Sequence, residues 1–86
     1  EMSIPSLISR SILSLADHDR AKGTEYVKTL DTYLRNEMSI TKTAEILFIH
    51  RSSLMKRLDK IQRIIADDLE YPDVRLYYRL CLMLMK

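Results

Sequence analysis

Residues 43–58 read TAEILFIHRSSLMKRL, and within them one short helical pattern stops and another begins. Ala44 is a small residue of the kind at which two crossing helices can approach closely. Four apolar residues are spaced to fill the wedge between the two helices and so to set their angle: Leu47, Ile49, Leu54 and Leu58. This layout predicts a helix-turn-helix, in which the second helix enters the major groove of DNA. An ordinary helical bundle with a solvated charged face is the alternative interpretation.

The two helices of this unit can be delimited from the same pattern. Helix three is predicted to begin after Ser39, whose hydroxyl can cap it, and to last only about eight residues. Helix four is predicted over about residues 51–66, because apolar residues recur there at spacings of three and four. These residues are Leu54, Leu58, Ile61 and Ile65. With this stripe turned inward, the opposite face of helix four carries polar and basic side chains.

Three further helices complete the pattern. Helix one is predicted over about residues 5–18, with a proline in its first turn, and Gly23 is predicted to reverse the chain after it. Thr24 is predicted to cap helix two, and Asn36 is predicted to take the left-handed exit from that helix. Pro72 is predicted to open helix five. The sequence therefore predicts an all-α domain of five helices, with helices three and four as the helix-turn-helix.

Length and composition exclude several classes of protein. The chain has 86 residues, which suits a single domain over 1–86. Cys81 is the only cysteine, and His18 and His50 have no metal-ligand or catalytic spacing. We therefore expect no metal, no cofactor and no enzyme activity. The longest apolar cluster has about six residues where a membrane span needs about 20, and no signal peptide is evident, so we expect a cytoplasmic protein without membrane contact.

Charge is distributed unevenly along the chain. The formal net charge is only +2, yet residues 48–63 hold five basic residues against Asp59 alone, and residues 64–73 hold four acidic residues and no basic one. A basic segment on one helix is typical of a surface that binds the phosphates of a nucleic acid. The sequence predicts that about five phosphates are neutralised by each domain.

The basic residues of helix four are the first candidates for DNA contact. Arg51 is predicted to bond a phosphate or a guanine edge, with a solvated arginine near the helix start as the alternative. Lys56 and Lys60 lie one turn apart on the same face, which favours contact with phosphates. Arg57 lies beside the buried stripe, so pairing with an acidic residue of the domain is as plausible for it as DNA contact.

Four uncharged or weakly basic residues join this candidate site. Ser52 and Ser53 can either cap helix four or touch DNA. Met55 points outward and can touch either a thymine methyl group or a neighbouring side chain. His50 lies in the turn, where its imidazole can bond a backbone group, the favoured interpretation, or a phosphate.

The run from Ala44 to Ile61 resembles the C-terminal helix-turn-helix of the PucR-like family, regulators of purine catabolism and sugar-diacid use. The matching residues are Ala44, Leu47, Ile49, His50, Arg51, Leu54, Arg57, Leu58, Lys60 and Ile61, then Asp68, Leu69, Pro72 and Arg75, with Leu30, Tyr33 and Leu34 upstream. Phe48 stands where many helix-turn-helix units have Gly, but it is familiar in this family. Ser52 and Ser53 replace the usual Asn and Thr, and Met55 and Lys56 depart from the usual Arg and Tyr. The Fis-type DNA-binding helices are more distantly similar.

The resemblance covers about residues 27–86, leaving residues 1–23 as an additional N-terminal helix. It implies sequence-specific binding of double-stranded DNA by a bacterial transcriptional regulator. It also implies that this chain is a domain excised from the C-terminus of a larger regulator, whose N-terminal part would bind any effector. Family base preferences cannot be carried over to the four positions that depart from the pattern.

Helix five is apolar nearly all round between Val74 and Met85. A helix of this kind has neighbours on more than one side, so we expect it to cover a second subunit or another part of the regulator. A homodimer of the full-length regulator follows as an expectation. The alternative function, a helical protein-interaction or dimerisation module, is based on the same helix.

Overall fold

The structure is a computed structural model that describes residues 9–85. It contains the helices α1 (Arg10–Lys22), α2 (Tyr26–Arg35), α3 (Ile40–Leu47), α4 (Arg51–Ile65) and α5 (Pro72–Leu84), and no strand occurs within 9–85. The predicted all-α class, the number of helices and the pairing of the third and fourth helices are therefore confirmed.

Helix α1 differs from its predicted bounds. It begins at Arg10, where the Ser9 hydroxyl accepts a hydrogen bond from the Ser11 amide at 3.1 Å. It continues to Lys22 and ends at Gly23, which has a φ of 70°. The predicted end near residue 18 was wrong, because the polar residues that follow form an exposed last turn and not a loop. The predicted start at Pro5 lies outside the described residues.

The cap of α2 comes from a different helix than predicted. Thr24 does not accept from the first turn of α2; its hydroxyl donates to the carboxylate of Asp19, a residue of α1. The same carboxylate accepts from the amides of Tyr26 at 2.8 Å and Val27 at 3.0 Å. The left-handed turn at Gly23 brings Asp19 over the start of α2, so one acidic side chain both caps that helix and complements its dipole.

The exit from α2 also differs in detail. Asn36 has a φ of −105°, so it is not left-handed as predicted, and the two residues after it, Glu37 and Met38, have φ values of 54° and 61°. Their amides bond back to the carbonyls of Leu34 at 3.2 Å and Tyr33 at 2.8 Å, which is the Schellman arrangement. Met38 then packs against the core, and this apolar contact fixes the reversal.

The core lies between α1, α2, α4 and α5. Its members are the buried residues Ile12, Leu15, Tyr26, Leu30, Leu34, Ile61, Ile65, Leu69, Tyr78, Cys81 and Leu82. Helix α3 packs on α2 and α4, whereas α5 packs on α2 and α1. Helices α3 and α5 therefore flank α2, and the outward face of α5 is directed away from the helix-turn-helix.

The acidic segment after α4 is held by hydrogen bonds to its surroundings. The Tyr78 hydroxyl donates to the Asp67 carboxylate, and the Gln62 amide donates to the Asp67 carbonyl at 2.7 Å. Burial, together with the hydrogen bond to Asp67, raises the pKa of Tyr78 to about 12. At the end of α4, the Ser11 hydroxyl donates to the Ile65 carbonyl at 2.8 Å. Helix α4 is thereby fixed at its C-terminal end to α1 and α5.

Candidate nucleic-acid interface

Helices α3 and α4 are joined by a three-residue turn, Phe48 to His50. The Phe48 amide donates to the Glu45 carbonyl at 3.2 Å, and the Ile49 amide donates to the Ala44 carbonyl at 3.1 Å. This is a second Schellman arrangement, in which Phe48 occupies the left-handed position with a φ of 55°. Ala44 is buried at the crossing, as the sequence predicted. The turn is closed by backbone bonds, so the angle between the two helices is well defined.

Phe48 is an unusual residue for this position. A left-handed backbone costs a residue with a β-carbon about 1–2 kcal/mol, and glycine avoids that cost. The side chain recovers none of it by packing, because Phe48 is 94% exposed. The turn therefore combines backbone strain with a large apolar side chain in water.

The second helix of the motif is capped by His50. Its Nδ1 accepts from the Ser52 amide at 3.3 Å and lies 3.0 Å from the Ser52 hydroxyl. A nitrogen that accepts from an amide carries no hydrogen of its own, so in this cap the ring N–H of His50 is at Nε2. The predicted backbone bond of His50 is confirmed. The alternative in which Ser52 or Ser53 caps α4 is wrong, because the cap is one residue before the helix.

The packing beneath this corner follows the predicted stripe. Leu54 is fully buried, and Leu47, Ile49 and Leu58 are half-buried around it. Thr43 is also fully buried, and its hydroxyl has no hydrogen-bond partner in the described part of the chain. A buried hydroxyl without a partner costs about 1–3 kcal/mol. Stability at the corner thus depends on Leu54 and is reduced by Thr43.

The outward face of α4 carries every α4 residue of the predicted site. Met55 is 53% exposed, which confirms that it points outward. The other exposed members are Arg51, Ser52, Ser53, Lys56 and Lys60, and His50 is exposed in the turn before them. All seven predicted residues are therefore exposed, from His50 in the turn to Lys60 in the second half of α4.

Arg57 does not belong to that surface. It is half-buried, and its Nη1 donates to the Thr29 hydroxyl on α2 at 3.2 Å. The interpretation in which the domain itself holds Arg57 is supported, with a hydroxyl in place of the predicted acidic partner. The Thr29 hydroxyl in turn donates a hydrogen bond to the Glu25 carbonyl at 2.7 Å. The contact ties α4 to α2 and removes one cation from the surface.

Arg63, another cation of α4, is paired with an acidic residue of the same helix. Arg63 lies 3.0 Å from the Asp59 carboxylate, one turn away on the outward face, and both side chains are largely exposed, at 76% and 62%. The remaining cations, Arg51, Lys56 and Lys60, make no ion pair among residues 9–85. Fewer positive charges are thus available to phosphates than the five counted from the sequence.

Lys42 is a further basic residue beside this surface that was not among the predicted site residues. This residue is exposed on α3, the helix that crosses the phosphate backbone in helix-turn-helix complexes. Its amide donates to the Ser39 hydroxyl at 3.2 Å, which confirms the predicted cap. Lys42 could have been found from that cap, since a lysine three residues after it must lie in the first turn of helix three.

Buried apolar residues beneath a tight corner, and exposed basic and polar residues above it, define a helix-turn-helix domain. The family model described as the PucR C-terminal helix-turn-helix domain matches residues 26–84. The chain belongs to this family, as the resemblance in its sequence implied.

Relatives in Bacillus subtilis share much of this chain. The chain is 36% identical over 78 residues to the proline-responsive transcriptional activator PutR, an alignment that covers 91% of this chain and 19% of PutR. It is 28% identical over 76 residues to the purine catabolism regulatory protein, covering 88% of this chain and 14% of that protein. The chain thus spans a fifth or less of these relatives. No solved structure matches it. No helix between residues 9 and 85 is long and apolar enough to cross a membrane.

Proposed function

We propose that this chain binds double-stranded DNA sequence-specifically, with α4 in the major groove, and that it catalyses no reaction. The observation that carries the proposal is the N-terminal half of α4. It is fixed from below by fully buried Leu54, capped by His50, and exposes basic and polar side chains that form no ion pair with any residue between 9 and 85. A preformed helix of this kind fits a groove about 12 Å wide without rearrangement.

The residues of this surface suit different parts of the DNA. Arg51, Ser52 and Met55 lie in the first turns of α4, where helix-turn-helix proteins contact base edges. A guanidinium matches the acceptors of guanine, and a thioether matches a thymine methyl group. Ser53, Lys56 and Lys60 lie towards one edge of this face, with Lys60 furthest along the helix, which suits contacts with phosphate oxygens. His50 can offer its Nε2 hydrogen to a phosphate while Nδ1 remains the cap.

Salt dependence of binding tests this proposal. Three cations on α4 and Lys42 on α3 would neutralise three or four phosphates, so log affinity should fall against log salt with a slope of about −3 to −4. The measurement is fluorescence polarisation of a duplex from a random-sequence pool, between low and moderate salt.

Matched variants test whether the exposed face of α4 causes the salt dependence of binding. Lys56→Ala should make it shallower by about 0.9, and Lys22→Ala, which removes an exposed lysine in the last turn of α1, should leave it unchanged. A slope near zero for the parent chain on duplex DNA would exclude the proposed function.

We also propose that the regulator works as a homodimer and that α5 contributes to the contact. The outward face of α5 exposes five large apolar side chains, beside the exposed charged residues Asp73 and Arg79; the apolar members are Leu76, Tyr77, Leu80, Met83 and Leu84. A large apolar side chain has roughly 150–200 Å² of surface, so five half-exposed ones offer roughly 450 Å² in each copy. A two-fold pair would bury about 900 Å², which is typical of weak association.

The position of α5 is compatible with two reading helices on one duplex. Helix α2 packs on both α4 and α5, and packed helices lie about 8–10 Å apart. Paired α5 helices would therefore place the two α4 helices at most about 40–50 Å apart, which includes the 34–36 Å between half-sites. We expect weak self-association of this chain in sedimentation, abolished by Leu80→Glu, and inverted half-sites about 10 base pairs apart in footprints of the full regulator. A strictly monomeric regulator that protects one half-site would contradict this.

In a longer regulator of the kind that the relatives represent, the remainder of the chain would bind the effector. We place that regulator in the bacterial cytoplasm. The alternative function, a helical protein-interaction module without DNA binding, is favoured only by the α5 face, and the same polarisation experiment separates the two.

A further inference from the structure

Phe48 differs from the other residues with a left-handed backbone. Within residues 9–85, four residues other than glycine have positive φ values: Glu37, Met38, Phe48 and Ala66. Met38 packs against the core, Glu37 is polar, and Ala66 has only a methyl group to expose. Only Phe48 combines the strained backbone with a large apolar side chain in solvent. The fold gains nothing visible from that side chain, which points to a contact outside the chain.

The location of Phe48 restricts what that contact is. It is three residues before Arg51, so their α-carbons lie within about 11 Å of each other. The turn between them is closed by the Ala44 and Glu45 carbonyls and by the His50 cap, so the two residues move together. Phe48 is two residues before the cap of α4, so when the first turn of α4 enters a groove about 12 Å wide, Phe48 is brought to the wall of that groove.

The wall of the major groove offers a neutral aromatic ring a particular surface. Between the charged phosphates lie the C–H edges of deoxyribose and, on the bases, the C5-methyl groups of thymine. Both are apolar, whereas the neighbouring His50 and Arg51 are polar or charged. A protein partner with an apolar surface would have to remove water from Arg51 to reach Phe48, but DNA would pair with that charge.

We propose that Phe48 packs against an apolar edge of a nucleotide, thymine methyl or deoxyribose, at the wall of the groove that α4 enters. This rests on the proposed function, and it adds a contact that contains no charge and no hydrogen bond. Covering about 60 Å² of the ring corresponds to about tenfold in affinity. Because no charge is involved, the contact contributes nothing to the salt slope.

Phe48→Gly separates this role from a structural one. Glycine relieves the backbone strain and adds freedom to the unfolded chain, so the thermal midpoint should stay the same or rise by up to about 5 °C. Affinity for duplex DNA that the parent chain has selected from a random pool should fall about tenfold with an unchanged salt slope. Leu13→Ala, which truncates an exposed apolar residue on α1, should leave affinity unchanged and serves as the control.

Uracil-containing DNA distinguishes the two apolar edges. If the parent chain binds the uracil version of the selected duplex more weakly than the thymine version, while Phe48→Gly binds the two versions equally, the partner is a thymine methyl group. If Phe48→Gly costs the same on both duplexes, the partner is deoxyribose.

Two results would overturn the proposal while the proposed function stands: affinity of Phe48→Gly equal to that of the parent chain, or a lowered thermal midpoint for Phe48→Gly. The first would direct the search to a protein that contacts Phe48. The second would give the ring a role in the fold. Failure of the parent chain to bind any duplex at low salt would instead remove the function itself.

Discussion

Removing the acidic residue on the outward face of α4 should strengthen DNA binding. Asp59 is the single acid on this helix, and it holds Arg63 at 3.0 Å in an exposed pair. Asp59→Asn keeps the size of the side chain, releases Arg63 and removes a charge that repels phosphates. Exposed ion pairs contribute at most about 1 kcal/mol, so the fold should tolerate the change.

The size of the effect follows from counterion release. One additional phosphate contact makes the slope of log affinity against log salt steeper by about 0.9. The ratio of variant to parent affinity should therefore be about eightfold higher at 0.1 M salt than at 1 M salt, and about twofold higher at 0.5 M than at 1 M. The gain should therefore shrink as salt is added, which distinguishes a new phosphate contact from a general improvement in folding.

A matched control is present on α1. Asp17 forms an exposed ion pair with Arg20, and Asp17→Asn removes the same charge and the same kind of pair from a helix outside the motif. Fluorescence polarisation of both variants over a salt series decides the matter. If Asp59→Asn and Asp17→Asn change affinity and slope equally, the C-terminal half of the α4 face does not approach DNA and the groove assignment is wrong.

Four further substitutions test the corner, the core and the exposed face of α4. Leu54→Ala should lower the free energy of unfolding by about 2–5 kcal/mol because it leaves a cavity. Lys56→Ala should weaken DNA binding by about 1–3 kcal/mol and leave the midpoint of thermal unfolding unchanged. If Lys56→Ala unfolds the domain and Leu54→Ala does not, the register of α4 is wrong. Thr43→Val replaces a hydroxyl without a partner and should raise stability by about 1 kcal/mol in chemical denaturation, and a loss would reveal a hidden partner. Tyr78 is protonated in the folded chain up to about pH 12 but ionises near pH 10 when unfolded, so stability should fall by ~2 kcal/mol across that interval. Tyr78→Phe should flatten this alkaline loss and lower stability at neutral pH, and an unchanged pH profile would remove Tyr78 as its cause.

Helices three and four were predictable because their signals are local. The Ser39 cap, the break after Leu47 and the apolar stripe through Leu54 all lie within the segments that they delimit. The outward face of α4 followed from that stripe, since a helix with one side buried has only one other side to offer. Lys42 could also have been predicted from a local signal, because the Ser39 cap places it in the first turn of α3.

Two of the errors came from interactions between distant residues. Asp19 caps α2 from the preceding helix. It lies seven residues before Tyr26, whose amide it accepts from, and no local sequence pattern predicts a cap at that distance. Arg57 finds its partner Thr29 on another helix, so its loss from the basic surface required the fold. The ion pair of Asp59 and Arg63 is a local spacing, but whether it lies on the exposed face depends on the register of α4.

The turn between α3 and α4 has no spare residue. Phe48 takes the left-handed position, Ile49 closes the backbone bond to Ala44 and covers the corner, and His50 caps the next helix. An inserted residue would displace one of these three residues from its position in the turn, and a deletion would remove the left-handed residue, the backbone bond to Ala44 or the cap of α4. The spacing between the two helices is therefore closed to variation in length. Regulators built on this corner can change the DNA sequence that they select only by exchanging side chains on a reading helix held at constant angle, so new specificities arise by substitution and not by insertion.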